Sequence, residues 1–193
     1  LSSDYGVVYS GGQRYFEDLD KMVEVETNNS MKRGNILKEL LLEPFFVYPI
    51  TPLIKKECFD RYIFDESYSA EGEAIYFKFA MKYKFDFIEE PLVVMREHSY
   101  NIGGNTDVML HENIRYQKEL FRHPDFPKEL KSYLPKILSN LYRMKGLEYI
   151  KLKGEYKKGR ASLINSIKEQ YSNIFDYKIL GGILISFFKK RCN

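Results

Sequence analysis

Residues 59–101 read FDRYIFDESYSAEGEAIYFKFAMKYKFDFIEEPLVVMREHSYN. The stretch opens on an acidic turn, Asp65-Glu66. A helix is predicted over 69–83, with Ala74, Phe77 and Met81 on one face and Ala70 beneath them. Strands are predicted over 85–88 and 92–96, parted by Pro91, and an Arg96-x-His98-x-x-Asn101 tail follows. Glu71 and Glu73 fall in the first turn of that helix. A carboxylate there sits near the positive end of the helix dipole, which favours its ionised form. Such a group at a cleft edge can accept a proton from an attacking hydroxyl. Acidic residues are favoured in first helical turns for the dipole alone, so position by itself does not assign the role.

Upstream, residues 5–10 (YGVVYS) read as a buried strand ended by a turn at Gly11-Gly12. Residues 13–31 read as a loop with one further strand near 22–26. A helix is predicted over 35–42, bounded by Gly34 and Pro44. Residues 45–49 read as extended. Pro49 and Pro52 flank a constrained loop in which Thr51 offers a hydroxyl, and 53–59 carry a strand and a short helix. Downstream of about residue 106 the pattern turns helical: 108–123, 134–153, 156–171 and 175–190, with Ala161, Ile164 and Ile167 on one stripe of the third. Residues 146–167 are similar to a single tetratricopeptide-like hairpin, and one unit is not a repeat array. The fold expected is α/β of the α+β kind, in two parts: residues 1–105, and a helical extension over 106–193.

The bulk properties describe a globular protein. Hydrophobic residues make up 44% and charged residues 30% of the 193 positions, too apolar for a disordered chain. Cys58 and Cys192 form no motif, which points to a reducing compartment without disulfides or a zinc site. Leu1 opens the sequence without a signal-like segment, so the chain reads as starting inside a larger protein. The longest apolar run, 179–188, is short of the roughly 20 residues a bilayer span needs. Net charge is divided: residues 1–100 hold 12 basic and 18 acidic residues, and 101–193 hold 18 basic and 9 acidic. The basic half suits an anionic surface, or equally a solvated helical face. No glycine-rich phosphate loop, no Asp-x-Asp directly after a predicted strand and no Cys/His metal spacing occurs, and nucleic-acid binding is not expected for want of a motif. His111 and His123 fall on the predicted helical part and read as structural.

The block 59–101 resembles the acceptor-side half of family 2 glycosyltransferases with the GT-A fold. The shared features are the Phe64-Asp65-Glu66 turn, the helix with Lys78-Phe79-Ala80 near its end, and the Pro91-Leu92-Val93 … Arg96-x-His98-x-x-Asn101 run. The strand at 5–10 is similar to the one that follows the family's Asp-x-Asp, so the nucleotide-binding half would lie upstream. The resemblance covers about residues 5–105. It implies inverting transfer of a sugar from a nucleotide-diphosphate sugar to a hydroxyl of a glycan or lipid-linked acceptor, in polysaccharide, glycolipid or cell-surface glycan synthesis. It implies Glu71 or Glu73 as the base. The family's Glu-Asp pair falls on Glu71 and Gly72, and Glu73 is about 100° further round the helix than Gly72. Arg96 suits a phosphate, His98 a divalent ion such as Mn²⁺ or Mg²⁺ whose main Asp ligands lie outside this chain, and Thr51, Asp65, Glu66 and Asn101 the substrate. By itself the chain is expected to be inactive. The location expected is cytoplasmic, at the inner membrane face, with the basic C-terminal helix in peripheral contact. The rival expectation is a noncatalytic glycan- or protein-binding module, with Gly72 in place of the base. A peptide-binding helical scaffold is a further one.

Overall fold

The computed structural model describes residues 4–24, 31–43, 47, 50–68, 71–98 and 106–188; the side chains of 24, 71–73, 106, 107 and 109 are outside that description. The protein is mixed α/β, and it divides into two compact units, Leu1–Thr106 and Asp107–Asn193.

The first unit is organised around β1 (Tyr5–Phe16). Its N-terminal half pairs antiparallel with β3 (Leu53–Ile54), and its C-terminal half antiparallel with β2 (Lys21–Glu24). Along its whole length it pairs parallel with β4 (Lys84–Glu97). Three helices accompany the sheet: α1 (Leu37–Leu42), α2 (Lys56–Arg61) and α3 (Glu71–Ala80). Val7, Tyr9, Phe85, Ile75 and Phe79 are the centre of the core, the first two on β1 and the last two on α3.

Two expectations change here. Gly11-Gly12 is not a turn and Pro91 does not divide two strands. Both strands run through, and the register slips where they meet: Ser10 faces Ile88, Gly11 faces Pro91 and Gly12 faces Val93. The extra residues bulge outward on β4, where Glu89, Glu90 and Pro91 are exposed. A bulge is a place where a proline without an N–H can enter a sheet, and the missing Cβ of glycine eases the kinked partner. Likewise β1 reaches Phe16 rather than ending at Ser10, and β2 begins at Lys21. The hairpin between them turns through a 3₁₀ segment, Glu17–Leu19, and a left-handed Asp20 (φ 45°), which accepts a hydrogen bond from Tyr15 Oη at 2.8 Å.

The buried surface of α3 is also wider than the expected Ala74/Phe77/Met81 stripe. Ile75 and Phe79 are wholly buried, and Tyr76, Phe77 and Ala80 nearly so. A helix apolar on most sides is an interior helix. The Phe79 ring meets Phe59 edge-on at 5.2 Å and Tyr62 at 6.4 Å. Residues 32–34 strap the start of β4: Gly34 exchanges both backbone hydrogen bonds with Phe85, and Tyr9 Oη donates to Lys32 O and accepts from Lys32 N. Of the extended segment expected at 45–49, only Val47 lies within the described residues, and it is buried.

The described elements of the second unit are all helices: α4 (Thr106–Leu120), α5 (Leu134–Lys151), α6 (Tyr156–Glu169) and α7 (Tyr177–Phe188), with 3₁₀ turns at Lys128–Tyr133 and Tyr171–Phe175. Ile150, Leu163 and Ile179, one each from α5, α6 and α7, form its core with Leu147, Tyr156, Ile167 and Ile183 around them. The expected stripe on α6 is corrected. Ala161 and Ile164 are exposed, and the buried face is Gly159, Ser162, Leu163 and Ser166. A Cβ on Gly159 would lie 2.5 Å from Ile150 and 2.9 Å from the Gly146 carbonyl, so α5 and α6 touch backbone to backbone there. The last helix runs uninterrupted through Gly181-Gly182. Among the described residues no helix is long and apolar enough to cross a membrane.

Candidate functional site

The parallel register of β1 and β4 sets Tyr15 beside Arg96 and Phe16 beside Glu97, at the end of the sheet where the β1–β2 hairpin turns. Charged side chains converge there. Arg96 grips Glu17 with both arms of its guanidinium, Nε donating to Oε2 at 2.9 Å and Nη2 to Oε1. Arg14 donates to Glu97 Oε1 from Nε at 2.8 Å and from Nη2 at 2.6 Å. The hydrogen bond from Arg96 holds the Glu17 carboxyl below the usual range, and the nearby charge of His98 acts in the same direction. The same bond raises the Arg96 pKa further, and Asp20 raises that of Tyr15. Of the predicted site residues, Arg96 and His98 are thus brought together, both exposed, around Glu17. Arg96 suits an oxyanion, and a phosphate arriving here would compete with Glu17 for its fork. Glu17 is absent from the residues that the sequence singles out. Its pairing with Arg96 is a non-local signal, because it depends on the strand register.

The acidic candidates lie on the approach to α3. Asp65 accepts a hydrogen bond from the Ser67 N–H at 2.9 Å, and its carbonyl accepts one from the Tyr68 N–H at 3.1 Å. This is an Asx-type turn, so Asp65 has a clear structural task. Glu66 is exposed beside it. Glu71 and Glu73 are the first and third residues of α3, with side chains outside the described set. The helix bearing them is held firmly, since Ile75 and Phe79 are wholly buried and Lys78 Nζ donates to Ile63 O at 3.3 Å. Thr51 is half-buried in the loop that enters β3. Asn101 lies outside the described residues.

Three other side chains could titrate or bind a ligand. Cys58 is wholly buried, and desolvation pushes its thiol up to about 11, so it serves as a small core residue rather than a nucleophile. His123 accepts a hydrogen bond from the Asp125 N–H at 3.1 Å and shapes the turn after α4. His111, expected to be structural, lines a cleft of about 360 Å³ in the helical unit together with Val108, Glu112, Arg115, Lys145 and Tyr149. The spacing 108, 111, 112, 115 on one face of α4 is the sequence signal for it.

A divalent ion is poorly served by these donors alone. His98 offers one imidazole, and Glu17 beside it is already forked by Arg96. Among the described residues no three or more His, Cys, Asp or Glu side chains gather as metal ligands. No protein-family model, curated protein or solved structure gives a match to this chain.

Proposed function

We propose that this chain is the acceptor-side part of a family 2, GT-A glycosyltransferase, which moves a sugar from a nucleotide-diphosphate donor to a hydroxyl of a glycan or lipid-linked acceptor with inversion. The observation that carries the reading is the run from residue 59 to 98. An Asx turn at Asp65 leads into a firmly packed helix whose first turn holds Glu71 and Glu73, and the chain returns along β4 to end in Arg96 and His98. In this reading Glu71 or Glu73 takes the proton from the acceptor hydroxyl, its ionised form favoured by the helix N-terminus. Arg96 exchanges Glu17 for an oxygen of the departing diphosphate, and Thr51, Asp65, Glu66 and Asn101 line the substrate. Mn²⁺ or Mg²⁺ would find His98 here.

A second reading, a noncatalytic glycan- or protein-binding module, is favoured by Gly72 at the position of the family's base and by the engagement of Arg96 with Glu17. A nucleotide-sugar hydrolysis and transfer screen with Mn²⁺, run on the intact gene product beside Glu71→Gln and Glu73→Gln, separates the two. Turnover abolished by one of these changes supports transfer and names the base. Absence of turnover and of donor binding across a broad donor panel supports the module.

A further inference from the structure

The C-terminal helix α7 divides its residues between two faces. Ile179, Gly182 and Ser186 are buried, with Ile183 beside them, against α5 and α6. The other side carries Tyr177, Leu180, Leu184, Phe187 and Phe188, at helical spacing, and all are exposed: Tyr177 by 77%, Leu184 by 57%, Phe187 by 62% and Phe188 by 82%. The 3₁₀ turn just before α7 adds Tyr171 at 79% and Phe175 at 86%. Scattered exposed apolar residues are ordinary, but an aligned stripe of this length is the mark of an interaction surface.

Charge identifies what the surface meets. From Tyr177 to the end of the chain there is no acidic residue, while Lys178, Lys189, Lys190 and Arg191 are basic; the last three lie outside the described residues and enter here by sequence alone. Arg160, on α6, lays its guanidinium over the Phe187 ring at 4.1 Å and donates to the Ser186 carbonyl. Lys178 lies along the Tyr177 ring at 5.7 Å. The nearby carboxylate of Asp176 is engaged by the N–H of Lys178 and by Arg143. The stripe is therefore apolar at its centre and cationic at its rim. A second copy of the chain seated face to face would set positive against positive. A helix of 12 residues is about 18 Å long, against a hydrocarbon core of about 30 Å, so it cannot cross.

We propose that α7 and the turn before it dock in the plane of an anionic lipid bilayer, with Phe175, Leu184, Phe187 and Phe188 entering the headgroup–acyl boundary and Arg160 and Lys178 meeting lipid phosphates. This inference does not depend on the glycosyltransferase reading. Cations beside the aromatic rim extend their stems over apolar surface and keep their heads at the phosphates, and two signals together give a stable attachment that either alone does not.

The test is co-sedimentation of the full chain with phosphatidylcholine vesicles, with and without phosphatidylglycerol. Binding is expected to be on the order of tenfold tighter with the anionic lipid and to weaken as salt shortens the screening length. The double change Phe187→Glu and Phe188→Glu is expected to reduce binding on the order of tenfold or more. Because the chain has no Trp, Phe188→Trp gives a single indole that keeps the apolar surface; its emission, excited selectively beyond the tyrosine band, should shift to the blue and be quenched by brominated acyl chains. Any of four results overturns the proposal: no sedimentation with either vesicle, equal binding to both, unquenched indole emission from the Phe188→Trp protein, or a dimer in solution that the double change dissociates. The last would assign the face to a second copy.

Discussion

In the sheet unit the centre is filled by rings. Phe79 meets Phe59 at 5.2 Å and Tyr62 at 6.4 Å between α2 and α3, and Tyr9 leans on Phe85 and Phe87. In the helical unit the contact between α5 and α6 is made by the absence of side chain: Gly146 and Gly159 let the backbones meet, and Ser139 and Ser166, both wholly buried, share hydrogen bonds with each other and with Asn173. One unit excludes water by volume and the other by closeness. Opposite changes in side-chain size should therefore damage them.

Removing volume from the first should have the largest effect. Phe79→Ala leaves a cavity against Phe59 and Tyr62 and is expected to cost about 3–5 kcal/mol in urea unfolding followed by circular dichroism. In the second unit the damaging change is an addition. Gly159→Ala drives a methyl into Ile150 and the Gly146 carbonyl, and about 1–3 kcal/mol of destabilisation is expected, even though alanine is the better helix former. Next is the cap of α7. The Asp176 carbonyl accepts the Leu180 N–H, and its carboxylate accepts the Lys178 N–H at 2.7 Å, while Arg143 Nε lies 2.9 Å from Oδ2. Burial would raise the Asp176 pKa; the N–H bonds and Arg143 overcome that and lower it. A lowered carboxyl pKa stabilises above the unfolded value, ~3.9, and the contribution is lost as pH falls from there through the folded value. Asp176→Ala is expected to cost about 1 kcal/mol at neutral pH and to lose its effect in acid, read by thermal melts across that range. The smallest change sharpens the contrast. Nothing lies within 4 Å of a Cβ at Gly181, so Gly181→Ala should stabilise by about 0.5–1 kcal/mol, the reverse of Gly159→Ala in the same unit. Equal signs at the two glycines in the same melts would refute packing by closeness.

These contrasts explain what is legible in the sequence. The helix at α3 and the strand that follows it are legible because apolar periodicity and the acidic turn are local signals. The bulge is not, since Gly11-Gly12 and Pro91 are each a local sign of a break. They mark one shared irregularity only when the two strands are set side by side, 80 residues apart in sequence. The buried face of α6 escapes a reading by hydrophobicity, which ranks Ile164 above Gly159 and Ser166, whereas a close helix crossing selects for small size. At the candidate site the helix-start acids are legible from type and spacing. The Glu17–Arg96 fork is not, as it follows from register. The Asp176 cap is hidden because the apolar pattern reads as a helix from residue 175, before the capping residue, whereas the helix itself starts at Tyr177.

The proposal of sugar transfer rests most directly on the stereochemistry of its product. The intact gene product, supplied with a nucleotide-diphosphate α-sugar that it turns over, should be followed by proton NMR of the anomeric proton of the first product formed. Transfer to an acceptor hydroxyl with a β-linkage is the predicted result. A product that keeps the α-configuration, or the absence of transfer to any acceptor, would contradict it.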